Sequence, residues 1–173
     1  RILGPVDVVG GGAVRRVAGV RRSAVLAILA LHVGQVVSAQ RLIDLAWADG
    51  APATALNTLQ STVSFLRRSL NLRDSLLARS SGYVLAVDSD GVDAALAERL
   101  IRDSRNLDDQ DQVVKQLSSA LALWRGEPLA GLAAHPFFEE DGGRNRALLA
   151  QNPEQEVFGA DVVVEQPIGF LGR

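Results

Sequence analysis

The sequence predicts an α+β fold in its first half, followed by an all-α arrangement. Between residues 23 and 70, apolar residues recur at the three- and four-residue spacing of amphipathic helices. Short apolar runs with turn residues between them flank this region on both sides, as in small antiparallel sheets. From residue 92 to about residue 150 only helical periodicity remains. We therefore expect a helical core with small sheets around it and a second, helical unit behind it.

Composition restricts the class of protein. The 173 residues suffice for one domain of common size or two small ones, and 47% are hydrophobic, which allows a packed core. No apolar run reaches the roughly 18 residues that span a membrane. There are no cysteines and only two histidines, so a disulfide framework is excluded and neither a metal nor a cofactor is expected. These features predict a cytoplasmic protein without membrane contact.

The charges are distributed unevenly along the chain. Residues 1–87 contain ten arginines and four aspartates, a net charge of +6, whereas residues 88–173 contain eight basic and sixteen acidic residues, a net of −8. This division suggests two domains with different partners, although chance partition is the alternative. The basic half could meet a polyanion, which the acidic half would repel.

The first half begins with two predicted strands and two predicted helices. Residues 1–9 and 13–20 read as strands on either side of the turn at Gly10–Gly12. Ser23 is expected to cap a first helix that runs to Val33, and Ser38 to cap a second.

A third helix, predicted over residues 53–70, carries the functional signal. Leucine and valine form one apolar stripe along it, made of Leu56, Leu59, Val63, Leu66 and Leu70. The opposite face carries Asn57, Ser61, Ser64, Phe65 and Arg68, with Thr54 and Thr58 beside them and Arg67 near the edge of the stripe. Since this face has amide, hydroxyl and guanidinium groups but no acid, it can approach phosphates and donate to base edges. The alternative is an ordinary solvated helix face.

Two further strands follow, over residues 75–79 and 83–88, joined by Ser80-Ser81-Gly82. Three helices followed by a β-hairpin are the order of a winged helix-turn-helix domain, whose third helix enters the major groove of DNA. Residues 92–106 and 109–124 then read as an αα-hairpin, and residues 135–150 as a weaker helix. We predict a winged-helix domain over 1–90, a partial helical domain over 91–150 and an irregular tail over 151–173.

Segments from both halves of the chain resemble a known family, and NTLQSTVSFLRR and ALALWRGEPLAGL are together fairly specific for it. VAGVRRSAVLAILALHVGQVVSAQRLIDLAW, PATALNTLQSTVSFLRRSL and SSGYVL closely resemble the OmpR-like winged helix at the head of the Streptomyces antibiotic regulatory proteins. VDAALAERLIRDS and ALALWRGEPLAGL resemble the bacterial transcriptional activation domain that follows it in that family. The resemblance extends over about residues 1–132.

The resemblance implies a four-stranded N-terminal antiparallel sheet, a three-helix core, a C-terminal wing and a partial tetratricopeptide-like helical domain. It also implies an activator that binds double-stranded DNA at promoter direct repeats and contacts RNA polymerase; whether it binds as a homodimer stays open. By position, the implied groove-facing residues are Asn57, Thr58, Ser61 and Ser64, the implied phosphate contacts are Arg67 and Arg68, and the implied wing residues are Arg79 and Tyr83. In three departures, Phe65 stands where relatives often carry arginine, Gly142-Gly143 interrupts a helix expected to continue, and the tail is too short and too unlike helices to complete the helical domain.

Two functions therefore remain open, and a third is not expected. The first is a sequence-specific DNA-binding transcription regulator. The second is a protein–protein interaction module in which the winged helix is a scaffold that does not bind DNA; an outward-facing Phe65 keeps this interpretation open. No acid, base and nucleophile form a recognisable catalytic set, so an enzyme is not expected. Arg15, Arg16, Arg21 and Arg22 could reach a DNA backbone, but residues at such positions are more often simply solvated.

Overall fold

A computed structural model describes residues 1–47 and 50–132 of the chain. The predicted helix over 135–150, the Gly142-Gly143 interruption and the tail over 151–173 lie outside the described residues. The elements in chain order are β1 (Asp7–Gly10), β2 (Ala13–Arg16), α1 (Val20–Leu31), β3 (Val37–Ser38), α2 (Ala39–Ala46), α3 (Ala55–Ser69), β4 (Leu76–Arg79), β5 (Gly82–Leu85), a 3₁₀ turn (Ser89–Gly91), α4 (Asp93–Ser104) and α5 (Gln110–Leu121).

The described strands form two antiparallel sheets. β1 and β2 pair as a hairpin, and a second sheet has the order β3-β5-β4. The two predicted hairpins are therefore present, with shorter strands than predicted. Strand β3 was not predicted, because two residues are too short to show an alternating pattern. It packs closely against β5: a Cβ at Gly82 would collide with the carbonyl oxygen of Val37, so this position requires glycine.

The expected four-stranded N-terminal sheet is wrong for the described residues, in which that sheet has two strands. The backbone of residues 2–5 bonds instead to the helical half of the chain. Ile2 and Leu3 donate from their amides to the carboxylate of Asp93 at 2.6 and 3.0 Å. The carbonyl of Leu3 accepts from the amide of Arg125 at 2.9 Å. Because the backbone amides and carbonyls of residues 2–5 already have these partners, this segment does not pair with the sheet of β1 and β2.

The two predicted helix starts have different outcomes. Ser38 caps α2 as predicted, since its hydroxyl accepts from the amide of Arg41 at 3.1 Å. Ser23 does not cap α1, which begins three residues earlier, after Gly19 with a φ of 94°. The Ser23 hydroxyl lies within the helix and donates to the carbonyl of Val17 at 3.2 Å. A glycine turn therefore starts this helix, because it adopts the positive φ at low cost.

The core of the first half forms around α1, whose residues Ala24 to Ala30 are all buried. Helix α3 packs on it through Leu59, Val63 and Leu66. The predicted stripe is wrong at Leu56, which is 49% exposed. Leu56 lies in the first turn of α3, where the preceding residues 50–54 are themselves exposed and give it no cover.

The predicted αα-hairpin is confirmed, and its two helices are α4 and α5. A buried ion cluster joins this hairpin to the first half of the chain. The guanidinium of Arg125, which follows α5, contacts the carboxylates of Asp7 at 2.9 Å and of Asp93 at 3.3 Å. Asp7 and Asp93 are only 3% and 5% exposed. Together with the backbone bonds of residues 2–5, this cluster connects β1, α4 and the segment after α5.

Candidate nucleic-acid interface

Helix α3 exposes the polar face that its sequence predicts. Asn57, Ser61, Ser64 and Arg68 are all exposed. Thr58 is half-buried, and its hydroxyl donates to the carbonyl of Thr54 at 3.1 Å. None of the fifteen residues of α3 is acidic. An amide, three hydroxyls and a guanidinium therefore lie on or beside one open face of α3, and α3 itself contributes no carboxylate that would repel a phosphate.

Arg67 and Arg68 differ in how they are held. Arg67 is half-buried, and its Nε donates to the carbonyl of Leu76 in β4 at 2.7 Å. Arg68 is exposed, and its Nε makes a longer bond of 3.3 Å to the carbonyl of Ser64. Arg67 thus joins the end of α3 to the wing, whereas Arg68 keeps most of its donors available to solvent.

A shallow depression lies at the C-terminal end of α3. Its volume is about 620 Å³, and it is lined by Ser64, Arg67, Arg68 and Arg73. We call these four residues the arginine cradle. Within the described ranges, none of its three arginines has a carboxylate at salt-bridge distance. Planar guanidinium groups arranged in this way suit the oxygens of a phosphate, which accept two parallel hydrogen bonds.

Arg73 is absent from the residues that the sequence predicted for the site. It lies in the connection between α3 and β4, so it belongs to no helical face and to no strand. The only signal in the sequence is indirect: all ten basic residues of positions 1–87 are arginines, and Arg73 follows α3 at close range.

Of the two predicted residues of the wing, Arg79 is exposed and Tyr83 is half-buried. Arg79 is exposed at the end of β4, where its Nη1 donates to the carbonyl of Ala78 at 3.2 Å. Tyr83 pairs with Val37 and is half-buried against the core. Because Arg79 pairs with Gly82, the hairpin closes through the two exposed residues Ser80 and Ser81.

Phe65 does not face outward as predicted. It is half-buried and packs against the core, and the guanidinium carbon of Arg22 lies 3.9 Å from the centroid of its ring. This distance is within the range of a cation–π contact, which covers an aromatic face that would otherwise meet water. The exposed aromatic side chain on which the protein-interaction hypothesis depended is therefore not present.

Both halves of the chain match known domain families. Residues 18–85 match the model described as "Transcriptional regulatory protein, C terminal", and residues 92–158 match the "Bacterial transcriptional activator domain". Regulatory protein AfsR of Streptomyces griseus is 31% identical over 76% of this chain, and transcriptional regulator RedD of Streptomyces coelicolor is 35% identical over 74%. The chain belongs to the Streptomyces antibiotic regulatory protein family. This confirms the family resemblance that the sequence predicted.

A solved structure agrees with placing the chain among the Streptomyces antibiotic regulatory proteins. Mycobacterium tuberculosis EmbR, in complex with a low-affinity phosphopeptide, superposes with a TM-score of 0.76 at 26% identity; the match covers 90% of this chain and 44% of that one. The chain spans 14% of the length of AfsR and 39% of that of RedD, so it corresponds to part of each relative.

Within residues 1–47 and 50–132, no helix has both the length and the apolar character that crossing a bilayer requires. The same part of the chain contains no group of three histidine, cysteine, aspartate or glutamate side chains placed to hold a metal ion.

Proposed function

We propose that this chain is a sequence-specific double-stranded DNA-binding transcription regulator, with α3 in the major groove. The observation that carries the proposal is the exposed, acid-free face of α3, which is bordered by the arginine cradle. Membership of a family of transcriptional regulators supports it. Such a surface can neutralise phosphates and donate to base edges at once, which are the two requirements of specific binding.

The candidate DNA-contacting residues divide into two groups by the charge of their side chains. Asn57, Thr58, Ser61 and Ser64 are neutral donors and acceptors on or beside the open face of α3, and they are assigned to base edges. Amide and hydroxyl groups can hydrogen-bond to base edges in the major groove, which supports this assignment. The cationic residues Arg67, Arg68, Arg73 and Arg79 are assigned to phosphates. Tyr83 is half-buried and pairs with Val37, and we assign it to holding the wing strand β5 against β3.

The helical half is assigned a different partner. We propose a division near residue 90, with residues 91–150 forming an activation domain that contacts RNA polymerase. Its net negative charge disfavours DNA, and its match to the activator-domain model supports contact with protein. On this proposal the chain acts in the cytoplasm by binding and without catalysis, as an activator at promoter direct repeats.

Selection from genomic DNA tests the proposal. The purified chain is incubated with fragmented genomic duplex, bound fragments are amplified over several rounds, and the enriched sequences are aligned. We expect a motif repeated in the same orientation at a fixed spacing. Retention of no duplex even at about 50 mM salt, where non-specific electrostatic binding is strong, would contradict DNA binding altogether. Enrichment without any shared motif would contradict sequence specificity.

A further inference from the structure

Arg22 is positioned beside the exposed face of α3 although it belongs to α1. Its guanidinium carbon lies 3.9 Å from the centroid of the Phe65 ring, which is a close stacking distance. Stacking covers one face of the guanidinium plane and leaves the N–H groups at its edge able to donate. Among the described residues, no carboxylate lies at salt-bridge distance from Arg22. The charge is therefore fixed in position without being neutralised.

The position of Phe65 determines which side of α3 this cation occupies. Phe65 and Arg67 are two residues apart, and successive helix residues are rotated by about 100°, so their side chains leave the helix on nearly opposite flanks. Ser64 and Arg68 lie on the exposed surface between these two flanks. Arg22 is therefore on one flank of the open face, and Arg67 of the arginine cradle is on the other.

The location of Arg22 within its own helix is unfavourable for folding. Arg21 and Arg22 lie in the first turn of α1, which has no acidic residue. The amino-terminal end of a helix carries a partial positive charge, so cations there reduce stability. Stacking on Phe65 offsets part of this cost, but the repulsion between the guanidinium and the positive end of α1 remains. An anion bound to Arg22 would reduce that repulsion.

We propose that Arg22 is a DNA-binding residue that Phe65 holds against α3, and that it contacts a duplex phosphate on the flank opposite the arginine cradle. The inference rests on the proposed function, because it assigns a new contact to the same interface. With cations on both flanks, α3 meets the phosphates of the two strands that border the groove. Phe65 acts as a positioning residue and makes no contact with DNA itself.

Binding of a fluorescein-labelled duplex, measured by anisotropy between about 50 and 200 mM salt, tests this inference. The variants are Arg22→Gln, Arg22→Lys, Phe65→Leu and the double variant Arg22→Gln/Phe65→Leu. Arg102→Gln is the matched control, since it removes one exposed arginine from α4 in the helical half. Thermal unfolding establishes that each variant is folded.

We expect Arg22→Gln to weaken binding to all duplexes alike. Each phosphate contact contributes a slope of about 0.9, so the loss of affinity between 50 and 200 mM salt should become roughly three- to fourfold smaller than in the wild type. Arg22→Lys should retain part of the slope of log affinity against log salt concentration that Arg22 contributes. Arg102→Gln should retain the full wild-type slope. Phe65→Leu should weaken binding in the wild-type background and should have no further effect when Arg22 is already glutamine, as expected for two residues that act as a unit.

Failure of the inference is distinguishable from failure of the proposed function. If the wild type binds duplex and Arg22→Gln binds with the same affinity and slope, Arg22 is not a contact and this inference is overturned alone. If Phe65→Leu weakens duplex binding equally in the wild type and in the Arg22→Gln variant, the positioning role of Phe65 is overturned. A folded wild type that binds no duplex at the lower salt concentration overturns both the inference and the proposed function.

Discussion

The Nε of Arg67 donates a hydrogen bond of 2.7 Å to the carbonyl oxygen of Leu76. The bond joins the last turn of α3 to the first residue of β4, across nine positions of sequence. It therefore fixes the wing hairpin relative to the helix that we assign to the groove. A guanidinium in this position has two functions: one N–H holds the wing, and the remaining donors contribute to the arginine cradle.

Arg67→Lys separates these two functions, because lysine keeps the charge but cannot make the same fork of donors. The bond is charged and half-buried, so we expect the free energy of unfolding to fall by about 1.5 kcal/mol. The salt dependence of duplex binding should change little. Urea unfolding and anisotropy measure the two effects, and Arg68→Lys is the control that should alter neither. Unchanged stability of Arg67→Lys would show that the bond contributes nothing.

Arg68 is the exposed cation of the α3 face, and its replacement tests phosphate binding. Arg68→Ala should weaken binding to every duplex and lower the slope of log affinity against log salt by about one. Its stability should stay close to that of the wild type, because the side chain is exposed and makes one weak bond. Anisotropy titrations at several salt concentrations measure the slope. An unaltered slope would remove Arg68 from the interface.

Asn57 is the exposed amide of the same face, and its replacement tests base recognition. An amide that pairs with a base edge discriminates by about 1–3 kcal/mol, so Asn57→Ala should lose preference at one position of the site. Competition between the selected sequence and its single-base variants measures this preference. Equal weakening against all sequences would instead assign Asn57 to the backbone.

Arg125 is the cation shared by the buried carboxylates of Asp7 and Asp93. Arg125→Met leaves both carboxylates without that partner, and removing one member of a buried pair typically costs 3–5 kcal/mol. We expect about 2–3 kcal/mol here, because Asp93 keeps the amides of Ile2 and Leu3. Chemical unfolding measures the loss, with the exposed Arg102→Met as the control. Equal stability of the two variants would mean that the ion cluster between the two halves contributes nothing to the free energy of unfolding.

Local patterns were sufficient to predict the features that repeat or that depend on near neighbours. The spacing of Leu59, Val63 and Leu66 predicts both the buried side of α3 and, by exclusion, its open face. The Ser38 cap depends on an amide three residues away, and the wing depends on a turn of two residues. Each of these features is determined within about one turn of helix or one hairpin.

The features that the sequence did not predict depend on contacts between distant positions of the chain. Ile2 and Leu3 read as a strand, but their amides bond to Asp93 across about ninety residues. Phe65 reads as an exposed aromatic on the helical wheel because the wheel does not include α1, which supplies Arg22. Arg73 lies in a connection without periodicity, so only the folded chain brings it to Ser64 and Arg67.

We propose that the open face of α3 binds a duplex because it carries no acid. Ser64→Glu places one carboxylate on that face, and Ser118→Glu places the same group on an exposed position of α5. Affinity for the selected duplex, measured by anisotropy at low salt, compares them directly. We predict a loss of more than about tenfold for Ser64→Glu, since like charges brought together at an interface cost several kcal/mol, and little change for Ser118→Glu. Equal affinity of the two variants would contradict the account.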